Sequence, residues 1–336
     1  MVKKIILFLI VVLAVGLIAF YFWGSASSGE IASRDYLTAY REYSNEKTDT
    51  LTIMTYNIGY LSGMTNNLAV SRSDSLFNAN LRKGTELMRD APDILAFQEI
   101  DIAAERSFNI NQLEAIGMSL DYFQSYTSVN WDKRYVPFPY WPITYHFGKV
   151  ISAQAILSMF PIVKNSTVTL RQPVNAPFYE KAFYIDRLVQ QVVINIHGSD
   201  LMIMNVHLEA FDADTRNLQA EVVGELYKKY KDQMPVILLG DFNSQLATAG
   251  AENWKATEII LAQDNIEAAV SPAMYESEPT KYNTFSSASP FQMIDHIFFN
   301  PSHISKTEVK VGLEFTDISD HLPVQMKFLL TSQLKE

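Results

Sequence analysis

The chain has no cysteine in its 336 residues. That excludes disulfides, thiolate zinc sites and a cysteine nucleophile. An oxidising compartment is compatible with the absence but not required by it. Basic charge is not in excess either. Lys and Arg number 27 against 37 Asp and Glu, for a formal net charge of −10. Setting aside Lys3, Lys4 and Glu30 leaves the remainder more acidic still. Proteins that grip long duplex nucleic acid through phosphates usually show a basic face, so the balance disfavours that partner without excluding a local patch. Glycine is sparse at 13 residues. Neither G-x-G-x-x-G nor a Walker phosphate loop occurs, and there is no internal repeat or low-complexity tract. What remains is the composition of a folded chain, 48% apolar with 20 Phe and 17 Tyr.

The N-terminus is different in kind. Lys3 and Lys4 precede an uncharged apolar run from Ile5 to Trp23. As a helix this run rises roughly 28 Å, close to the thickness of a bilayer core. It reads first as an uncleaved anchor. The small residues Gly24-Ser25-Ala26-Ser27-Ser28-Gly29 offer a peptidase site, so a cleaved signal is the alternative. In either case Lys3 and Lys4 stay cytoplasmic and the rest of the chain lies outside. The expected organisation is an anchor over 1–30, a linker over 31–50 with a short helix near Tyr36–Tyr43, and a catalytic domain over 51–332.

Beyond residue 50 the pattern alternates. Helices are expected over 77–90, 102–117 and 213–232. The last repeats Leu218, Val222, Leu226 and Tyr230 every four residues, with Asp212 or Asp214 as cap. Strands are expected near 51–57, 93–99, 151–158, 162–170, 182–196, 200–208, 235–240, 293–299, 307–315 and 323–330. Several strands in direct succession favour two packed sheets with helices outside over a regular βαβ sheet.

Polar clusters end most of these runs: Thr55-Tyr56-Asn57, Phe97-Gln98-Glu99, Asn205-Val206-His207, Gly240-Asp241-Phe242-Asn243, Ile294-Asp295 and Ser319-Asp320-His321. Each has a structural reading. Asp-x-Asn after a strand is a common Asx cap, a lone strand-end His is often a satisfied core residue, and Asp320 can cap a turn. A strand-end carboxylate such as Glu99 is costly to bury unless paired or metal-bound. Strand alternation puts Asp241 and Asn243 on one side. If the runs share one core, their ends bring carboxylates, amides and two His to one rim, an inventory suited to a hard cation and a phosphate ester.

In type and order these clusters resemble the endonuclease/exonuclease/phosphatase superfamily, which includes deoxyribonuclease I, abasic-site endonucleases and neutral sphingomyelinases. The resemblance covers Leu51 to about Leu330. It implies a four-layered α/β sandwich of two mixed sheets with its site at one rim. It implies Glu99, Asn57 and Asp320 around a divalent metal, Mg²⁺ before Mn²⁺ or Ca²⁺. Asp241 would orient the attacking water, Asn243 and His207 would contact phosphate, and Asp295 would orient His321. The residues leave open which His is the acid. Arg216 and Gln219 read as structural. His296 neighbours Asp295 but points to the other sheet face. The Trp-Cys-Asp-Arg element of inositol polyphosphate 5-phosphatases is absent.

The stretch 121–147 bears on substrate. It is expected to be irregular, broken by Pro137, Pro139 and Pro142, and it holds Tyr122, Phe123, Tyr126, Trp131, Tyr135, Phe138, Tyr140, Trp141, Tyr145 and Phe147. Either it folds down on the core, or it forms an apolar rim facing lipid or a ring-bearing substrate. The sequence reading is therefore a membrane-anchored, extracytoplasmic, metal-dependent hydrolase of phosphate esters, with lipid head groups or small phosphoesters ahead of nucleic acid. A nuclease and a non-catalytic binding module are the alternatives.

Overall fold

Apolar runs beyond residue 50 pair into two mixed sheets stacked face to face. The computed structural model describes residues 1–44, 50–90, 92–248 and 253–331. In chain order its strands are β1 Asp35–Ala39, β2 Leu51–Asn57, β3 Ile94–Asp101, β4 Gln124–Val136, β5 Gly148–Ser158, β6 Ile162–Thr169 and β7 Leu188–Ile196. There follow β8 Ser199–His207, β9 Val236–Asp241, β10 Glu267–Ala268, β11 Asp295–Phe299, β12 Ile304–Val311 and β13 Val324–Leu330. One sheet has seven strands in the order β1-β4-β5-β3-β2-β13-β12, the other six in the order β10-β11-β9-β8-β7-β6. Helices α2 (Asp74–Leu87) and α3 (Gln112–Ser119) flank the first sheet. Helices α5 (Ala213–Tyr230) and α6 (Lys255–Leu261) flank the second. This is the expected α/β sandwich.

The topology explains why the polar clusters converge. Strands β2 and β3 run parallel with Asn57 opposite Gln98, and β8 and β9 run parallel with His207 opposite Asp241. All four therefore end at one rim. Strand β11 is antiparallel to β9 and begins there, with Asp295 opposite Asp241. Strand β13 is antiparallel to β2, with Val324 opposite Thr55, so the residues just before it reach the same rim. The sheets meet through β2 and β3 on one side and β8, β9 and β11 on the other. Buried amides cross that interface. Gln98 Nε2 donates to Asn205 Oδ1 at 2.7 Å, and Asn205 Nδ2 donates to the Phe97 carbonyl at 3.0 Å.

Several local expectations are corrected. The segment near Tyr36–Tyr43 holds no helix; Asp35–Ala39 is an edge strand on β4, so the 31–50 segment contributes to the sheet. The expected helix at 102–117 is the shorter α3, preceded by a 3-10 turn at Glu105–Ser107. The stretch 121–147 is mostly the long strand β4, whose Tyr126 is buried, as are the flanking Tyr122 and Phe147. Helix α5 is capped by Asp212, which accepts from the Thr215 N–H at 3.1 Å. Its buried face is Arg216, Gln219, Ala220, Val223 and Tyr227, while Leu218 and Val222 are exposed. The apolar stripe revealed the helix but lies one residue to the side of its buried face.

The first helix, α1 (Val2–Ser25, 24 residues), is long and apolar enough to cross a membrane. Its C-terminal aromatics dock on the α/β sandwich. Phe20 stacks on Phe183 at 6.1 Å and meets Tyr135 edge-on at 5.6 Å. Tyr21 contacts Phe178 of the short helix α4 (Phe178–Phe183) at 5.8 Å.

Candidate active site

The rim gathers Asn57, Glu99, His207, Asp241, Asp295, Asp320 and His321. Glu99 gets there through a bulge: the β3–β5 register shifts between Phe97 and Ile100, and Glu99 sits at φ +50°. Left-handed backbone costs a non-glycine residue of order 1–3 kcal/mol, and strain of this kind concentrates where a side chain must be re-aimed. Gln98 thereby faces the inter-sheet layer while Glu99 faces the rim.

Asp241 is the hub. Its Oδ2 accepts from Asn57 Nδ2 at 2.9 Å and lies 3.4 Å from His207 Nε2 and 3.9 Å from His321 Nε2. Its Oδ1 accepts from the Asn243 backbone N–H at 2.8 Å. Burial pushes the Asp241 carboxyl up to about 7, against the opposing pull of nearby His321. Asn243 comes near by a route other than strand alternation. It lies past the end of β9 at φ +49°, and its Nδ2 donates to the Leu208 carbonyl at 3.0 Å. An amide nitrogen has two hydrogens, so one donor remains.

The two histidines are set apart by their surroundings. Burial holds His207 well below its ordinary value, with the Arg187 and His321 charges adding to the effect. Burial opposes a charge on His321 too, but Asp295 and Asp241 outweigh it and hold the ring well above its ordinary value. Its Nδ1 lies 2.9 Å from Asp295 Oδ2. His296, by contrast, is locked in the core, where its Nε2 meets the Ser244 carbonyl at 2.8 Å beside the Phe242 and Phe298 rings.

A second group faces this one. Glu99 Oε2 and Asp320 Oδ1 both accept from Asn66 Nδ2, at 3.3 and 3.2 Å. Asn66 Oδ1 is buried with no partner. Gly59 adjoins them at φ +49°, and a Cβ there would meet Asp320 Oδ1 at 2.9 Å. Two facing carboxylates are hard oxygen ligands of the kind that suits Mg²⁺; the Asn66 oxygen would join them only if its amide turned, since its nitrogen now faces them. Asn57 stands differently: its Oδ1 accepts from the Gly59 N–H at 3.1 Å, and its Nδ2 points at Asp241 and, at 3.4 Å, Glu99. Direct ligation would require its amide to turn. Asp241, Asp295 and His321 also offer ligand atoms within 4.8 Å of one another, with His321 Nδ1 already engaged by Asp295.

The sequence reading missed Asn66 and Gly59, which carry no motif. It also missed the ion pairs beside the rim. Arg106 grips Asp101 at 2.8 and 3.0 Å and lies 3.8 Å above the Tyr60 ring. Arg187 lies 3.6 Å from Glu209. Arg216 donates to the Glu209 carbonyl at 2.6 Å and Gln219 accepts from the Glu209 N–H at 2.8 Å, so both are structural, holding the turn after His207.

The sequence profile of the Endonuclease/Exonuclease/phosphatase family matches residues 54–321. The chain belongs to that family. Family members are phosphoester hydrolases that generally use a divalent metal. Among curated proteins, a UPF0294 protein of Vibrio cholerae is 27% identical over 133 residues, covering 40% of this chain and 41% of the relative's own length. An endonuclease/exonuclease/phosphatase from Beutenbergia cavernae superposes with a TM-score of 0.62 at 20% identity, covering 84% of this chain and 72% of that one. A mannosyl-6-phosphatase from Bacteroides thetaiotaomicron superposes with a TM-score of 0.56 at 19% identity, covering 83% and 99%. At these identities the structural matches establish the fold.

Proposed function

We propose that this protein is a divalent-metal-dependent phosphodiesterase that acts outside the cytoplasm on lipid head groups or another small phosphoester. One observation carries the reading: the Glu99–Asp320 carboxylate pair faces, across Asn57, an Asp241 that lies 3.4 Å from His207 Nε2 and 3.9 Å from the Nε2 of an Asp295-paired His321. Glu99 and Asp320 would hold the metal, joined by the Asn57 or Asn66 oxygen once that amide turns. Mg²⁺, with Mn²⁺ or Ca²⁺ as substitutes, supplies charge neutralisation to the phosphoryl oxygens when bound. Asp241 orients water for in-line attack and takes its proton, a role suited to a carboxyl whose pKa is about 7. His207 and the free Asn243 donor bind non-bridging oxygens. His321, held charged by Asp295, protonates the leaving oxygen; the pairing favours it over His207 as the acid.

The α1 helix supports the location, since its basic flank, Lys3 and Lys4, precedes the apolar run. The acidic balance supports a small or lipidic phosphoester over nucleic acid. The test is a panel of lysolipid, sphingomyelin, abasic and plain DNA, RNA and sugar phosphates, incubated with the full chain and Mg²⁺. Chelator-sensitive turnover of a lipid or small phosphoester is expected. Preferred turnover of DNA would favour a nuclease, and no turnover at all a binding module.

A further inference from the structure

A cavity of about 590 Å³ opens from Glu99, within the roughly 300–1,000 Å³ range of small-molecule sites. Its walls are Trp131, Val136, Phe138, Tyr140, Phe183 and Tyr184, apolar over most of their surface. The opposite side of one wall is the docking surface of α1, since Phe183 touches both Phe20 and Tyr21 at 6.1 Å. Around the mouth, Tyr140, Tyr179 and Phe211 are exposed. A cavity wall thus adjoins the end of the apolar helix, and the cavity also reaches a rim carboxylate.

Charge in the cavity is uneven. Arg187 lines it and is buried, yet its Nε and Nη1 have no hydrogen-bond partner. The 3.6 Å approach to Glu209 is an ion pair without a hydrogen bond. Glu209 is otherwise engaged, accepting from Tyr184 Oη at 2.8 and 3.0 Å and from the Phe211 N–H at 2.9 Å. The other lining cation, Arg106, is spent on Asp101. Glu180 and Asp212 also line the cavity, the latter occupied in capping α5. Orphaned buried N–H groups are costly, more so when charged, so Arg187 keeps two donors free for an anion beyond its ion pair with Glu209.

Resting on the hydrolase reading above, we propose that this cavity seats the hydrocarbon chain of a membrane phosphoester, taken sideways from the bilayer that holds α1, with Arg187 fixing its phosphate. An apolar chain gains about 0.8 kcal/mol per buried CH₂, and a guanidinium suits phosphate geometry.

The test uses the full chain in lipid nanodiscs and a dodecyl phosphonate carrying a photoreactive diazirine at its chain end. Crosslinks are expected on the cavity walls, at Trp131, Phe138 and Tyr184. Ala176→Phe, which fills the half-buried edge of the cavity, should cut them about tenfold, the equivalent of two buried methylenes. Arg187→Lys should cut phosphonate crosslinking about tenfold through loss of charge-assisted hydrogen bonds, and leave a diazirine-bearing dodecanol unaffected. Crosslinks confined to the exposed face of α1, or equal in wild type and Ala176→Phe, would overturn the inference. Methyl and dodecyl phosphodiesters are assayed with Mg²⁺ on the same preparations. Cavity crosslinks without hydrolysis support the cavity assignment and contradict the hydrolase reading. Hydrolysis without chain-length preference or cavity crosslinks does the reverse.

Discussion

Two polar layers sit side by side on the same strands and do opposite things. Between the sheets, Gln98, Gln154, Gln190 and Asn205 form a neutral layer in which each side-chain amide nitrogen donates to a partner, although Gln98 Oε1 and Gln154 Oε1 accept from none. At the rim, a residue or two further along, Glu99, His207 and Asp241 form a layer of ionisable groups. There Glu99 holds a left-handed backbone and His207 Nδ1, Asn66 Oδ1 and Asp295 Oδ1 lack partners. Orphaned oxygens occur in both layers, so charge and strain are what separate them. Neutral amides that donate to one another stabilise a fold, whereas ionisable groups gathered around a strained backbone are poised for something absent from the chain itself. The step from Gln98 to Glu99 is where β3 passes from one task to the other.

The sharpest break between the layers should come from the rim. Asp241→Asn and His321→Ala should each lower turnover of the best phosphoester about 10²–10⁴-fold, with Asp241→Asn leaving the unfolding midpoint nearly unchanged and His321→Ala lowering it by stranding Asp295. Equal losses on replacing His296 would erase the distinction between the rim histidine and the core one. The amide layer should respond in reverse. Asn205→Leu removes one of the two acceptors of Gln98 Nε2, which keeps Thr55 Oγ1, and the side-chain donor to Gln190 Oε1 and the Phe97 carbonyl, so it should cost about 1–3 kcal/mol per group left unpaired. This is read as a lower urea midpoint at unchanged slope, with any surviving folded protein still active.

A smaller effect separates the layers by pH. His296 is neutral in the fold because burial lowers its pKa from 6.5 to about 4. As pH falls through this window the unfolded chain takes up the proton first. Stability is therefore whole above about 6.5 and declines towards 4, by at most about 3 kcal/mol. Comparing urea midpoints at neutral and mildly acid pH should show a smaller acid loss in His296→Phe than in wild type. An equal loss would assign the sensitivity to other groups.

Much of the rim was legible because strand ends are marked twice, by an apolar run and by the polar cluster that stops it. Asn57, Glu99, His207, Asp241, Asp295 and His321 each end or begin such a run, or directly precede one. Asn66 and Gly59 were illegible because they lie in the irregular segment after β2, where position follows from backbone turns and not from periodicity. Asn243 was placed for the wrong reason, since a left-handed turn and not strand alternation sets it. The short edge strand at Asp35–Ala39 was invisible for lack of an apolar run; its pairing is supplied by β4. The α5 stripe misled because Arg216 and Gln219, polar residues with backbone partners, take the buried face that Leu218 and Val222 seemed suited to fill.

The central claim is that the rim is built around a hard cation held by Glu99. The most direct measurement is a Mg²⁺ titration of phosphoester hydrolysis by the full chain and by Glu99→Gln, with an excess-chelator control. The account predicts no activity in chelator, and a half-activating Mg²⁺ concentration about tenfold or more higher in the variant, as expected on losing one charged oxygen ligand. Full activity in chelator, or an unchanged half-activating concentration in Glu99→Gln, would contradict it.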